Sequence, residues 1–75
     1  MKPRVGDRVR IRTRGWLEDR GYFVPDRFFP YLGKTATIIK VFSLSVNLDI
    51  GPEDLSWGSI SFEILSRKQI FNENF

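Results

Sequence analysis

The sequence contains no cysteine and no histidine among its 75 residues. Without cysteine, the chain has no disulfide, no thiolate metal site and no nucleophilic thiol. Without histidine, it lacks the commonest general base and the commonest metal ligand of proteins. Carboxylates, lysines and tyrosines remain as acid–base groups. We therefore expect that this protein is not an enzyme.

Long apolar runs are also missing. No stretch approaches the roughly 20 apolar residues that a membrane-spanning helix needs. Residues 1–4 are followed by no apolar segment of the kind found in secretory signals. The sequence predicts no membrane partner and a cytoplasmic location.

Acidic residues offer the remaining candidates for chemistry. Glu18 and Asp19, like Glu53 and Asp54, lie in segments without strand periodicity, where acids are normally solvated. A cation site that combines Glu53 and Asp54 with Asp49 lacks the dense oxygen-ligand spacing of a calcium loop. No glycine-rich phosphate loop leads from a strand into a helix. We expect no catalytic residue, no metal site and no cofactor.

Charge is divided unevenly along the chain. Residues 1–40 contain ten lysines and arginines against four acids, whereas residues 41–75 contain two against five. The formal net charge is +3. Such an asymmetry favours an anionic partner for the basic half, and the alternative is an ordinary solvated surface.

The stretch from residue 32 to residue 42 is the most strand-like part of the sequence. It is rich in β-branched side chains, which pack well on a pleated surface. Strict alternation would place Lys40 in the same buried row as Ile38. A bulge near Ile39 and Lys40 would return the lysine to water and continue the buried row at Val41. We predict a long central strand with a bulge at this point.

Arginine alternates with apolar or β-branched residues at the start of the chain. Val9, Ile11 and Thr13 share one predicted face, which is typical of a half-buried strand. The opposite face carries four arginines: Arg8, Arg10, Arg12 and Arg14. The pattern predicts a contiguous exposed row of guanidinium groups, and such a row also protects an edge strand from aggregation.

The segment from residue 15 to residue 30 has no consistent period and contains two glycines and two prolines. Six aromatic residues lie in it or directly after it: Trp16, Tyr22, Phe23, Phe28, Phe29 and Tyr31. Such a long loop in a small domain is usually functional or packs on itself. We expect Trp16 or Phe28 to be exposed and Phe23 or Tyr31 to join the core. The alternative is a loop whose rings all cap the core.

Three further strands follow the central one. Residues 43–50 alternate cleanly, and residues 55–61 predict a strand with Trp57 directed inward. A helical turn at residues 61–63 is expected to lead into a short closing strand at Ile64 and Leu65.

These elements predict an all-β fold, a small five-stranded antiparallel SH3-like barrel with a long loop between strands 1 and 2. The barrel spans residues 1–65 and is followed by a weakly ordered tail, residues 66–75. The predicted core contains ten residues: Val9, Ile11, Ala36, Ile38, Val41, Leu44, Val46, Leu48, Trp57 and Leu65.

Residues 5–11 and 32–41 resemble the first two strands of KOW-type SH3-like barrels, which bind RNA or dock on polymerase in ribosomal proteins and elongation factors. Ala36 stands where that pattern often carries a second glycine, and the connection between the two strands is much longer. In these features the chain is similar to a second group of SH3-like barrels. That group comprises a small accessory protein of photosystem I, the variable chain of ferredoxin–thioredoxin reductase and the C-terminal domain of the nitrile hydratase β-subunit. This second resemblance implies an accessory protein that docks on a larger enzyme and binds no cofactor.

Two functions therefore remain. The first is binding of nucleic acid or a nucleoprotein complex, because arginines pair with phosphates and aromatic rings stack on bases. The second is docking on a protein partner, because Trp, Tyr and Arg dominate interface hot spots. Both functions use the same candidate residues: Arg8, Arg10, Arg12, Arg14, Trp16, Arg20, Arg27, Phe28 and Phe29. The charge asymmetry places the nucleic-acid hypothesis slightly ahead.

Overall fold

A five-stranded antiparallel sheet organises the computed structural model, which describes residues 2–66. The strands are β1 (Arg8–Ile11), β2 (Thr35–Val41), β3 (Ser45–Leu48), β4 (Trp57–Gly58) and β5 (Phe62–Ser66). Their order in the sheet is β4-β3-β2-β1-β5, and every neighbouring pair is antiparallel. The predicted all-β fold with five antiparallel strands is confirmed. The predicted tail lies outside the described residues, apart from Ser66 at the end of β5.

The connection between β1 and β2 contains helices where the sequence predicted irregular structure. A six-residue helix, α1 (Arg14–Asp19), is followed by a 3₁₀ helix (Asp26–Tyr31). Thr13 caps α1, because its hydroxyl accepts a hydrogen bond from the backbone N–H of Trp16 at 3.2 Å. A helix of fewer than two turns is too short to produce a periodic pattern. Across residues 2–66, no helix is both long enough and apolar enough to cross a membrane.

The bulge in β2 is where the sequence predicted it. Ile38 pairs with Leu48 and Lys40 pairs with Asn47, so Ile39 is the extra residue on β2. Lys40 is exposed, as expected. The predicted burial of Val41 is wrong, because Val41 is 40% exposed. The part of β2 that pairs with β1 ends at Thr37, and Val41 lies beyond it.

Seven of the ten predicted core residues are buried. They are Val9, Ile11, Ala36, Ile38, Val46, Leu48 and Trp57. Leu44 and Leu65 are exposed, and both predictions are wrong. β3 begins only at Ser45, which leaves Leu44 in the hairpin connection, and Leu65 is the extra residue of a second bulge where β5 pairs with β1.

Four buried apolar side chains were not predicted: Leu17, Val24, Leu55 and Phe62. Phe62 was assigned to a helical turn. The structure instead places a 3₁₀ helix two residues earlier (Ser59–Ser61) and starts β5 at Phe62. This three-residue helix is the whole connection between β4 and β5, the two outermost strands of the sheet.

Candidate functional site

The four alternating arginines do not form one row. Arg8 and Arg10 are exposed residues of β1, but the strand ends at Ile11. Arg12 follows the strand, and Arg14 is the first residue of α1. The prediction of a contiguous row along one strand is therefore wrong. The cap formed by Thr13 turns the chain from strand into helix and separates Arg14 from the row.

Trp16 brings two arginines together. The guanidinium carbon Cζ of Arg12 lies 4.1 Å from the centroid of the Trp16 ring, and that of Arg20 lies 3.8 Å from it. Both distances are well within the roughly 6 Å range of a cation–π interaction. Arg20 also donates a hydrogen bond from Nη1 to the backbone oxygen of Trp16 at 3.1 Å. Trp16 is half-buried, and it holds two positive charges that are eight residues apart in the sequence.

Phe29 holds a third arginine. Cζ of Arg14 lies 4.5 Å from the Phe29 ring centroid, and Nε of Arg14 donates to Oε2 of Glu18 at 2.7 Å. The hydrogen bond to Glu18, the charge of Glu18 and then that of Asp26 raise the pKa of Arg14. Arginine is always protonated in proteins, so Arg14 places a positive charge on the Phe29 ring.

Glu63, on the neighbouring strand β5, pairs with both Arg10 and Arg12. Its two carboxylate oxygens each lie 3.6 Å from an Nη1 atom, one of Arg10 and one of Arg12. Arg12 is the more buried partner, with 26% of its side chain exposed against 53% for Arg10. Its Nε is buried and has no hydrogen-bond partner within residues 2–66. These ion pairs are long and solvated, so each contributes little to stability.

We call this assembly the arginine cluster. It consists of two contact groups that share the segment from residue 12 to residue 20: Arg10, Arg12 and Arg20 with Trp16 and Glu63, and Arg14 with Phe29 and Glu18. These contacts include four guanidinium groups and two carboxylates. Sequence reasoning missed Glu63, because a residue so distant in the chain gives no local signal.

Three of the predicted site residues lie outside the cluster. Arg8 donates hydrogen bonds to the Oγ1 atoms of Thr37 and Thr35, at 2.8 and 3.3 Å, on the exposed face of the sheet. Arg27 pairs with Asp54 at 3.5 Å. Phe28 packs edge-on against the buried Trp57, with 4.9 Å between ring centroids, and belongs to the rim of the core.

All six aromatic rings of the β1–β2 connection are described, and none is fully buried. The connection is therefore not a closed lid over the core. Trp16 and Phe28 are both half-buried, so the prediction that one of them is exposed is wrong. Of the pair Phe23 and Tyr31, one of which was expected in the core, Tyr31 packs against it. Phe23 is 88% exposed, because the next residue, Val24, takes the buried position.

An exposed apolar surface lies at the hairpin between β2 and β3. It comprises Val41, Phe42 and Leu44, and Leu44 is 87% exposed. We call it the hairpin patch. Sequence reasoning assigned two of these side chains to the core, so it did not recognise this surface.

No protein-family model, no curated protein and no solved structure matches this chain. Among residues 2–66, no group of three or more acidic side chains is arranged to hold a metal ion. The arginine cluster and the surfaces beside it are therefore the features from which a function can be inferred.

Proposed function

We propose that this protein binds nucleic acid, free or within a nucleoprotein complex, and catalyses no reaction. The observation that carries the proposal is a set of four arginines whose guanidinium groups are held by Trp16, Phe29 and Glu63, and which outnumber the two carboxylates that pair with them. Phosphate groups supply the negative charge that this surface lacks.

The stacking of arginines on rings suits this ligand. A guanidinium that lies on an aromatic ring keeps its edge N–H groups available, and these donors match the oxygens of a phosphate in a bidentate manner. The stacked arrangement also limits the rotamer freedom of the long side chain, so less entropy is lost when a phosphate binds. Arginine planes and aromatic rings are also the groups on which single-stranded bases stack.

The fold supports the same proposal. β4 and β5 are the two outermost strands, and only Ser59–Ser61 separate them in the chain. A connection of three residues keeps the two edges close, which supports closure of the sheet into the SH3-like barrel that the sequence predicts. The resemblance of residues 5–11 and 32–41 to KOW-type barrels points to RNA or a transcription complex as the partner.

A second candidate is docking on a protein as an accessory subunit. The hairpin patch favours it, because Leu44 and its neighbours expose apolar surface that the arginine cluster does not need. The resemblance to accessory barrels of electron-transport enzymes points in the same direction. The two candidates now depend on different residues and can be tested separately.

Binding of a fluorescent single-stranded oligonucleotide, measured by anisotropy at low salt, tests the first proposal. The double variant Arg12→Ala/Arg20→Ala is expected to lose most of the affinity. Arg27→Ala is the matched control, because Arg27 is an exposed, paired arginine outside the cluster. Equal losses in both variants, or no binding by the unmodified protein, would contradict the proposal. Leu44→Ala should leave oligonucleotide binding unchanged and should reduce capture of a protein partner only if the second candidate holds.

A further inference from the structure

A small pocket of about 120 Å³ lies between α1, the first 3₁₀ helix and the Ser59–Ser61 turn. Its inner walls are Leu17, Val24, Phe28 and Trp57, and its outer walls include Tyr22 and Phe23. The outer side chains are exposed, Phe23 almost completely. The pocket thus opens to solvent between aromatic rings.

One wall of this pocket carries a hydrogen-bond donor without a partner. Trp57 is 2% exposed, and its Nε1–H has no hydrogen-bond partner within residues 2–66. The indole N–H donates and does not accept. A buried donor in this state is costly and is normally satisfied by some acceptor. This N–H has less than 1 Å² of accessible area, so a ligand in the open pocket contacts the apolar ring of Trp57 and not its donor, and the lining suits a flat aromatic ligand.

The pocket adjoins the arginine cluster through shared backbone. Leu17 follows Trp16 in α1, and the backbone N–H of Arg12 donates to the oxygen of Ser61, another pocket residue, at 2.8 Å. The backbone N–H of Tyr22 donates to the oxygen of Leu17 at 3.0 Å. Arg12 and Trp16 of the arginine cluster therefore adjoin residues of the pocket along the backbone.

We infer that this pocket receives one unstacked base of a single-stranded nucleic acid whose phosphates lie on the arginine cluster. The inference rests on the proposed function and names its substrate class. Tyr22 and Phe23 form the stacking platform, and the rings of Phe28 and Trp57 form the apolar floor. A duplex holds its bases paired and stacked, so single strands bind more tightly than duplex of the same sequence.

The charge next to the pocket favours a base over an apolar peptide side chain. A peptide would fill the apolar walls but would bring no negative charge to Arg12 and Arg20. An acidic peptide with apolar side chains is the other ligand that would fit both the pocket and the arginines, so it is one of the tested ligands.

The closing experiment uses two exposed apolar side chains as a matched pair. Phe23 is 88% exposed and Leu44 is 87% exposed, so neither truncation removes core packing. Anisotropy is measured for the unmodified protein, Phe23→Ala and Leu44→Ala with three probes. The probes are an eight-nucleotide poly-dT strand, the same strand with abasic sites in place of all internal bases, and a duplex of the same length.

We expect Phe23→Ala to weaken binding of the intact strand by about tenfold or more, the scale of a lost stacking contact. Leu44→Ala should have no effect. Phe23→Ala should have no effect on the abasic strand, because the base that it contacts is already missing.

Three results would overturn the inference: equal behaviour of Phe23→Ala and Leu44→Ala, an equal loss of affinity for the abasic and the intact strand in Phe23→Ala, or tighter binding of the duplex. In each case, if Arg12→Ala/Arg20→Ala still lowers the affinity for the oligonucleotide, the proposed function stands and only the inference of a base pocket is overturned. A peptide of glutamate and phenylalanine residues is tested as a competitor. If the peptide displaces the strand and its binding is lost in Phe23→Ala, while binding of the strand is unaffected by Phe23→Ala, the pocket binds a peptide instead.

Discussion

The guanidinium of Arg20 lies 3.8 Å from the centroid of the Trp16 ring and is tied to the backbone oxygen of the same residue. Arg12 contacts the same ring. A base that stacked on Trp16 would have to displace one of these cations. Trp16 therefore positions arginines, and the surface it offers to a ligand is made of their planes and N–H edges.

Replacing Trp16 by alanine tests this role. Each exposed cation–π contact contributes about 0.5–1 kcal/mol, so we expect oligonucleotide binding to weaken by roughly 1–2 kcal/mol as both arginines lose their support. Trp16→Phe keeps an aromatic face and should retain most of the affinity. Isothermal titration of both variants with one single strand gives the comparison. Equal losses in the two variants would show that the ring does not act by holding the cations.

The salt dependence of binding reports the number of phosphates that the arginine cluster contacts. If all four guanidinium groups pair with phosphates of a single strand, log K against log salt has a slope of roughly −0.7 × 4, or about −2.8. Arg12→Ala/Arg14→Ala should reduce the slope to about half. Arg27→Ala provides the control and should keep the full slope. A slope that does not change in the double variant would remove Arg12 and Arg14 from the phosphate contacts.

Two apolar residues close together in the sequence are expected to differ in their effect on stability. Val46 is 1% exposed, and truncation to alanine should lower the free energy of unfolding by roughly 1–4 kcal/mol through cavity formation. Leu44→Ala should change it by less than about 0.5 kcal/mol, as for most surface sites. Urea unfolding monitored by tryptophan fluorescence measures both values. A large loss in Leu44→Ala would mean that Leu44 is covered in solution.

The cap of α1 offers a local test of how the cluster is built. Thr13→Ala removes the hydroxyl that accepts the N–H of Trp16, and we expect a loss of about 1 kcal/mol in the free energy of unfolding. Thr13→Ser retains the hydroxyl and should be close to the unmodified protein. Because the cap directs Arg14 and Trp16 away from β1, oligonucleotide affinity should fall with Thr13→Ala as well. If Thr13→Ser lowers the affinity as much as Thr13→Ala does, the threonine methyl group, and not the cap, is required.

The existence of the five strands and the identity of most core residues could be predicted from local sequence patterns. Alternation of side chains is a property of the extended backbone, so Val9, Ile11 and Val46 could be assigned to the interior without knowledge of their partners. The bulge at Ile39 was predictable for the same reason, since a lysine in a buried row is costly and a single extra residue removes it.

The assembly of the candidate site depends on contacts between residues that are far apart in the chain. Arg12 meets Glu63 and Trp16 because β5 lies beside β1 and α1 turns back after Thr13, and neither relation has a local pattern in the sequence. The choice between Phe23 and Val24 for the interior depends on the space left by side chains distant in the chain. Close packing accepts only the side chain that fits that space, and a sequence window does not contain its shape.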